Sequence, residues 1–241
     1  MCFFNSQNKR ALAIAKRYGR RSDIVEIAKE ILEEQRQAEE IGEAGETEET
    51  GMHFVQKAFL HPDCYVVMHD EQLRTAQWGL IPFWVREVEK AESIRKMTAN
   101  AKAETAASLP SFREAIKRRR CLIPSTGFYE YHHEGKEAIP YRIFLRDTDI
   151  FSLAGVYDEW HHPATKELIR TFAVLTVPAN ELCGFIHNGG RNPGRMPGIL
   201  TAADEISWLH PDLTDDDIMG LLRPYDSASM DAVVLEKDFL R

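Results

Sequence analysis

The chain has no CxxC pair. Its four cysteines, Cys2, Cys64, Cys121 and Cys183, lie far apart among 241 residues. That spacing argues against a zinc cluster or a disulfide framework, and no metal or cofactor is expected. No apolar run approaches the ~20 residues of a membrane span. The opening stretch Met1 to Arg10 lacks the basic, apolar and small-residue order of a signal peptide. A cytoplasmic, membrane-free protein is the expectation, with no obligate protein partner evident. Hydrophobic residues at 44% and charged residues at 28% are ordinary for a globular chain. Its length allows a sizeable core in a single domain over residues 1–241.

Positive charge is also scarce overall: the formal net charge is −8. That total argues against nucleic acid until its distribution is considered. Residues 26–50 contain ten Glu against Lys29 and Arg36 and account for the whole excess. The rest of the chain sums to zero and carries the cluster Arg113, Lys117, Arg118, Arg119 and Arg120. Local sign governs contact with a polyanion more than the total does. The cluster reads equally as a helix end, where cations suit the dipole.

The pattern along the chain predicts an α+β fold. Leu12, Ala15 and Tyr18 suggest a short helix ended by Gly19. Asp23 and Glu26 cap an amphipathic helix over 24–40, and a solvated, mobile acidic loop follows at 41–51. Short apolar or alternating runs at 64–68, 121–124, 128–131, 141–145, 151–157 and 172–177 read as strands, mostly antiparallel by turn length. Pro110 is expected to open a helix through Phe112 and Ile116. Thr201 with Asp204, and Thr214 with Asp217, cap two short closing helices, the second ended by Pro224. Cys64, Cys121 and Cys183 read as core, as do Trp78, Phe128 and Tyr131.

Against that frame Cys2 is the most informative residue. Removal of Met1 leaves an α-amine and a thiol on one residue. Such a 1,2-aminothiol condenses with an aldehyde to an imine, and the sulfur then closes a thiazolidine. Reference pKa values of ~8 and ~8.5 leave reactive forms of both groups near neutral pH.

Five segments keep Cys2 company: Met1-Cys2; Trp78-Gly79-Leu80-Ile81-Pro82-Phe83-Trp84; Asn100-Ala101-Lys102-Ala103-Glu104-Thr105; Arg120 to Tyr131, with Cys121-Leu122-Ile123-Pro124 and Gly127-Phe128-Tyr129-Glu130-Tyr131; and Ile186-His187 with Arg195-Met196-Pro197. In that order they resemble the SOS response-associated peptidase (SRAP) family, over the chain from Cys2 to about Leu200. The resemblance implies a single β-rich α+β domain that binds single-stranded DNA containing abasic sites. Cys2 would crosslink the ring-opened sugar as a thiazolidine, a shield against strand breakage. It also implies hydrolase activity in self-removal of Met1, with abasic-site lyase chemistry as a further outcome.

Capture of a closed hemiacetal sugar requires proton transfers, for which Glu130 and His187 are the candidates. Glu130 is assigned to ring opening and imine formation, and His187 to the sugar oxygen. Asn100 would orient the reactive residue through its amide. Lys102, in place of the family's usual arginine, would neutralise a phosphate as a point charge. Trp84 offers a face for base stacking. Arg195 and Arg191 are further candidate DNA contacts.

The chain departs from the family in three ways. Phe3-Phe4 replaces a Gly-Arg pair whose arginine reaches phosphate. A glycine-rich insertion over 188–194 separates His187 from Arg195. The acidic segment has no derived role. The main competing reading is an N-terminal-cysteine amidohydrolase of the glutamine amidotransferase type, which also exposes Cys2 beside its α-amine. No glutamine-binding motif accompanies it. A plain DNA-binding module is the second, separable because Cys2→Ala would leave its binding intact.

Overall fold

The computed structural model describes residues 2–7, 11–22, 55–190 and 192–240. The expected helix over 24–40, the acidic loop at 41–51 and Arg191 lie outside the described residues.

In chain order the elements are β1 (Phe4–Ser6), α1 (Ala11–Arg17), β2 (Val55–Lys57), β3 (Asp63–Val67), β4 (Leu73–Trp78), α2 (Val88–Arg95), β5 (Asn100–Lys102), α3 (Ala103–Ala106), α4 (Arg113–Arg118), β6 (Arg120–Ser125), β7 (Gly127–Glu134), β8 (Glu137–Leu145), β9 (Phe151–His161), β10 (Leu168–Pro178), α5 (Glu181–Ile186), β11 (Arg195–Pro197), β12 (Ile199–Leu200), α6 (Ala202–Leu209), α7 (Asp215–Leu221) and β13 (Met230–Val234). This is the expected α+β class, rich in strands and mostly antiparallel.

β10, β4, β3, β6 and β9 pair in a closed circuit, because β9 also pairs β10. Closure removes the exposed edges that an open sheet would present. Strands inside such a circuit are buried on both faces, which explains the unbroken buried run Phe172 to Val177 in β10, apolar but for Thr176. Only β10 with β4 and β10 with β5 run parallel among the paired strands. The second sheet has the order β13-β8-β7-β1-β2. β6 runs straight into β7, so one continuous stretch of chain joins the two sheets. Among the described residues no helix is long and apolar enough to cross a membrane.

The barrel interior is tight at Gly155, which faces Cys121 across the ladder. An added Cβ would sit 2.5 Å from Ile123 Cδ1 and 3.1 Å from Cys121 Sγ. Gly155→Ala is therefore expected to lower stability by about 1–3 kcal/mol through overpacking, measurable by urea denaturation.

All six expected strands are present, and α1 ends before Gly19 in the left-handed conformation (φ 59°). Thr201 and Thr214 accept from the backbone of Asp204 and Asp217, the latter in a full capping box. α7 stops at Leu221, shortly before Pro224. Two expectations shift. The helix predicted from Pro110 begins at Arg113, after a turn anchored by buried Phe112. Tyr131 is half-buried rather than core, because β7 runs outward past the barrel in its second half.

The basic cluster divides. Arg113 opens α4 and Lys117 and Arg118 end it, all three exposed. Arg119 turns to buried Asp158, 3.1 Å away. Arg120 is buried and donates to the carbonyls of Trp208, Ile116, Lys117, His210 and Pro211, tying α4 and α6 to the barrel.

Candidate active site

Cys2 precedes the first strand and is completely buried. Its thiol faces the Phe4 carbonyl at 3.6 Å. Its own carbonyl accepts from Asn100 Nδ2 at 2.8 Å. Asn100 opens β5, which lies parallel to β10 with Asn100 opposite Val174. A side-chain amide on the barrel thus grips the amino-terminal segment. Asn100 Oδ1 is buried without a hydrogen-bond partner among the described residues, leaving an acceptor beside Cys2.

Glu130 sits on β7 opposite Tyr141 and is buried. Desolvation pushes its carboxyl up to about 8, partly opposed by the positive amino terminus. At neutral pH it therefore carries a proton. Burial pushes the Cys2 thiol far up as well, with the Glu130 charge as the next cause. Cys183 on α5 rises to about 12 through burial and then through Glu130. Cys2, Glu130 and Cys183 are therefore electrostatic neighbours.

His187 follows α5, whose N-terminus is capped by Asn180 accepting from the Cys183 backbone at 2.9 Å. His187 Nδ1 lies 2.9 Å from the Arg195 carbonyl and 3.4 Å from the Arg195 N–H, and the Nδ1–H tautomer that makes the shorter bond leaves a lone pair on Nε2. Burial, followed by the amino-terminal charge, pulls the ring below the ordinary histidine value. His187 is thus neutral at pH 7. The two candidate proton carriers occupy opposite states: Glu130 holds a proton and His187 lacks one.

The described residues of the insertion, 188–190 and 192–194, lie between His187 and β11. The Gly194 backbone N–H donates to the His187 carbonyl at 2.8 Å, and Ala179 N–H donates to the Gly194 carbonyl at 3.0 Å. Asn188 acts as a short strand mimic: its side chain accepts from His133 N–H at 2.8 Å and donates to the His133 carbonyl at 3.0 Å. Gly189 packs so closely that a Cβ would meet the His133 ring at 2.7 Å. Arg195 keeps its place on β11, opposite Pro178.

The guanidinium of Arg195 is held by both oxygens of Glu104, at 2.6 and 2.9 Å, and by the Thr176 carbonyl. This bond from Arg195 holds the Glu104 carboxyl below its ordinary value. Lys102 is exposed, two residues beyond Asn100. Trp84 belongs to a separate loop. There the Phe83 N–H donates to Asp158 at 3.0 Å, and Lys90 Nζ lies 5.8 Å from the Trp84 ring centroid. The Trp84 ring is 36% exposed.

The structure thus gathers Cys2, Asn100, Glu130 and His187. It places Lys102 next to Asn100 on β5 and Arg195 against His187. Sequence reasoning missed Cys183, read simply as core, which it also is. It also missed Glu104 and Thr176 as the partners of Arg195. Glu104 stood in a recognised segment, but its pairing is a product of β5, which leads into α3, and β11 both lying against β10. Among the described residues no group of three or more His, Cys, Asp or Glu is placed to hold a metal ion.

A family model described as SOS response associated peptidase (SRAP) matches residues 14–239. The abasic site processing protein YoqW of Bacillus subtilis is 39% identical over 165 residues, covering 68% of this chain and 69% of that protein. The abasic site processing protein HMCES of Gallus gallus is 29% identical over 182 residues, covering 67% of this chain and 52% of its own length. A Bacteroides thetaiotaomicron protein of known crystal structure superposes with a TM-score of 0.86 at 42% identity, over 99% of this chain and 94% of that one. A Bordetella bronchiseptica structure shares the fold at 22% identity and a TM-score of 0.75.

Proposed function

Because this chain belongs to the SOS response-associated peptidase family, we propose that it processes abasic sites in single-stranded DNA by capturing the sugar aldehyde on Cys2. One observation carries the reading. Asn100, Glu130 and His187, from three different elements, surround a buried amino-terminal cysteine, and the two ionisable groups are oppositely poised.

The reaction follows from those states. Removal of Met1, which the family name suggests is self-catalysed, frees the Cys2 amine. His187 Nε2 takes the proton of the sugar's C1′ hydroxyl while protonated Glu130 delivers one to the ring oxygen. The C1′–O4′ bond breaks, leaving an aldehyde and a 4′-hydroxyl. The amine adds to C1′, and the hydroxyl departs as water on the proton returned by His187, leaving the protonated imine. The thiol is held neutral by burial, so its proton must leave as sulfur adds to C1′. Glu130, now a carboxylate, is the neighbouring acceptor. Aldehyde plus aminothiol gives thiazolidine plus water, with no oxidant and no metal required. The same imine is the branch point from which lyase cleavage would depart.

Denaturing electrophoresis of end-labelled abasic single-stranded DNA tests this reading. Wild type is expected to give a shifted, heat-stable band. Cys2→Ala is expected to give none while still binding the strand. A shifted band of equal yield from Cys2→Ala would overturn the assignment.

Lys102 is assigned a phosphate contact. Lys102→Ala is then expected to weaken binding at every sequence and to reduce the slope of log affinity against log salt by about 0.7. An unchanged slope in a salt titration would remove Lys102 from the interface. Arg195 can meet phosphate only by exchanging Glu104 for it, so Glu104→Gln is expected to tighten DNA binding at low salt.

A further inference from the structure

A cavity of about 530 Å³ lies among α1, β3, β6 and α6. That volume falls within the ~300–1,000 Å³ of small-molecule sites. Among the described residues, the elements that carry Asn100, Glu130 and His187 contribute nothing to its lining. β3 and β6 meet there over a single registered pair, Val67 opposite Leu122. Both side chains are buried and line the cavity. Ile206 of α6 lines it too, yet is 80% exposed. The apolar part of the cavity is therefore aliphatic.

Its charges are paired, with one exception. Glu205 accepts from both terminal nitrogens of Arg17, at 2.9 and 3.2 Å, and from the Ser152 hydroxyl at 2.8 Å. The Tyr18 hydroxyl, 2.8 Å from Ser152 Oγ, donates to it because the Ser152 proton already points to Glu205. Beside the lining residue His69, Asp70 holds Arg74 at 2.7 Å and Glu71 holds Arg21 at 3.3 Å. Arg20 also lines the cavity and faces no carboxylate among the described residues. Its guanidinium makes one bond there, from Nη2 to the Met68 carbonyl at 3.3 Å, and its Nε is buried without a partner. Its backbone is nevertheless fixed. The Arg20 N–H donates to the Ala15 carbonyl at 2.8 Å, and Arg21 bridges to Gln72. A positioned cation with unused donors thus stands beside hydrocarbon.

Charge and lining select the occupant. A guanidinium fork with free donors matches the two oxygens of a planar anion. One unpaired cation balances a single negative charge better than a phosphate dianion. His210 adds a neutral donor to the lining: the Asp212 N–H donates to its Nδ1 at 3.3 Å, which leaves the ring proton on Nε2. The aliphatic floor suits a hydrocarbon body. The polar groups beside it are engaged with one another rather than offered to the edge of a base.

We infer that this cavity binds an aliphatic carboxylate of short to medium chain, its head on Arg20 and its chain over Val67 and Leu122. The site shares no residue with the one around Cys2. Its occupancy is therefore independent of what Cys2 captures, and Cys2→Ala should bind the same ligand equally well.

Calorimetric titration of the full chain with hexanoate, octanoate, 1-octanol, inorganic phosphate and dAMP tests the inference. Octanoate is expected to bind more tightly than hexanoate by about fourfold per added methylene. It should also bind about tenfold more tightly than 1-octanol, which lacks the charge. Arg20→Gln is expected to weaken octanoate about tenfold and to erase that preference, with Arg20→Lys restoring part of it through charge alone. Ile206→Asp places a like charge at the cavity from an exposed position, so it should weaken octanoate far more than 1-octanol while leaving the core intact. Should Arg20→Gln fail to fold, Ile206→Asp decides the matter. Octanoate affinity unchanged in these variants would overturn the inference. Phosphate binding as tightly as octanoate, with no gain along the chain-length series, would reduce the cavity to a bare anion site and overturn it as well. Tighter binding of dAMP than of octanoate would contradict the aliphatic body.

Discussion

Glu130→Gln is expected to slow adduct formation by roughly 10²- to 10⁴-fold, the usual range for a positioned acid–base group. The substitution keeps shape and neutrality but removes the transferable proton. The dependence on pH separates this role from a structural one. With a carboxyl raised to about 8, capture by wild type should decline as pH rises through that value. The Gln variant should lack that limb.

The same group links to stability. Its folded value lies above the ordinary carboxylate value of ~4.3, so the folded state holds a proton that the unfolded state releases. The contribution is full below ~4.3 and is lost as pH rises through about 8. The melting temperature of wild type should fall across that window relative to Glu130→Gln. Parallel pH profiles of the two proteins would show that Glu130 is not buried as described.

Arg120→Ala carries the largest expected cost to the fold. Its guanidinium serves five carbonyls from two helices and the segment after α6. Truncation leaves those acceptors without a donor, and orphaned buried groups cost ~1–3 kcal/mol each before relaxation or water entry. A net loss of about 3–5 kcal/mol is expected, or a fall in melting temperature of roughly 6–20 °C for a chain of this size. Arg118→Ala, on the exposed end of the same cluster, should cost almost nothing. Equal effects from both variants would contradict the inward role of Arg120.

That division of neighbouring arginines shows where sequence reading stops. Five basic residues in eight positions look alike as text, and both readings of them were reasonable. Which ones turn inward depends on α6 packing across β6, a contact between residues about ninety apart. The strands were readable because β-branched and aromatic runs bounded by turns have few other uses. The closing helices were readable because a threonine cap and its aspartate lie within one turn. Barrel closure was not, since it rests on β9 pairing both β6 and β10.

The site divides in the same way. Cys2, Asn100, Glu130 and His187 were legible as candidates because each sits in its own short segment. Their proton states were not, because Glu130 rises and His187 falls only through burial among residues distant in sequence. The insertion over 188–194 looked disruptive beside a candidate catalytic histidine. The Gly194 bond to His187 and the two Asn188 bonds to His133 instead anchor its two ends, and Arg195 stays paired on β11.

The account's central claim is covalent capture by the amino-terminal cysteine. Intact mass spectrometry of the purified full chain, before and after incubation with single-stranded DNA carrying one abasic site, tests it most directly. The account predicts a protein lacking Met1, which then gains the mass of the strand less one water, and no gain in Cys2→Ala. A protein that lacks Met1 and stays at its original mass in the presence of bound abasic DNA would contradict it.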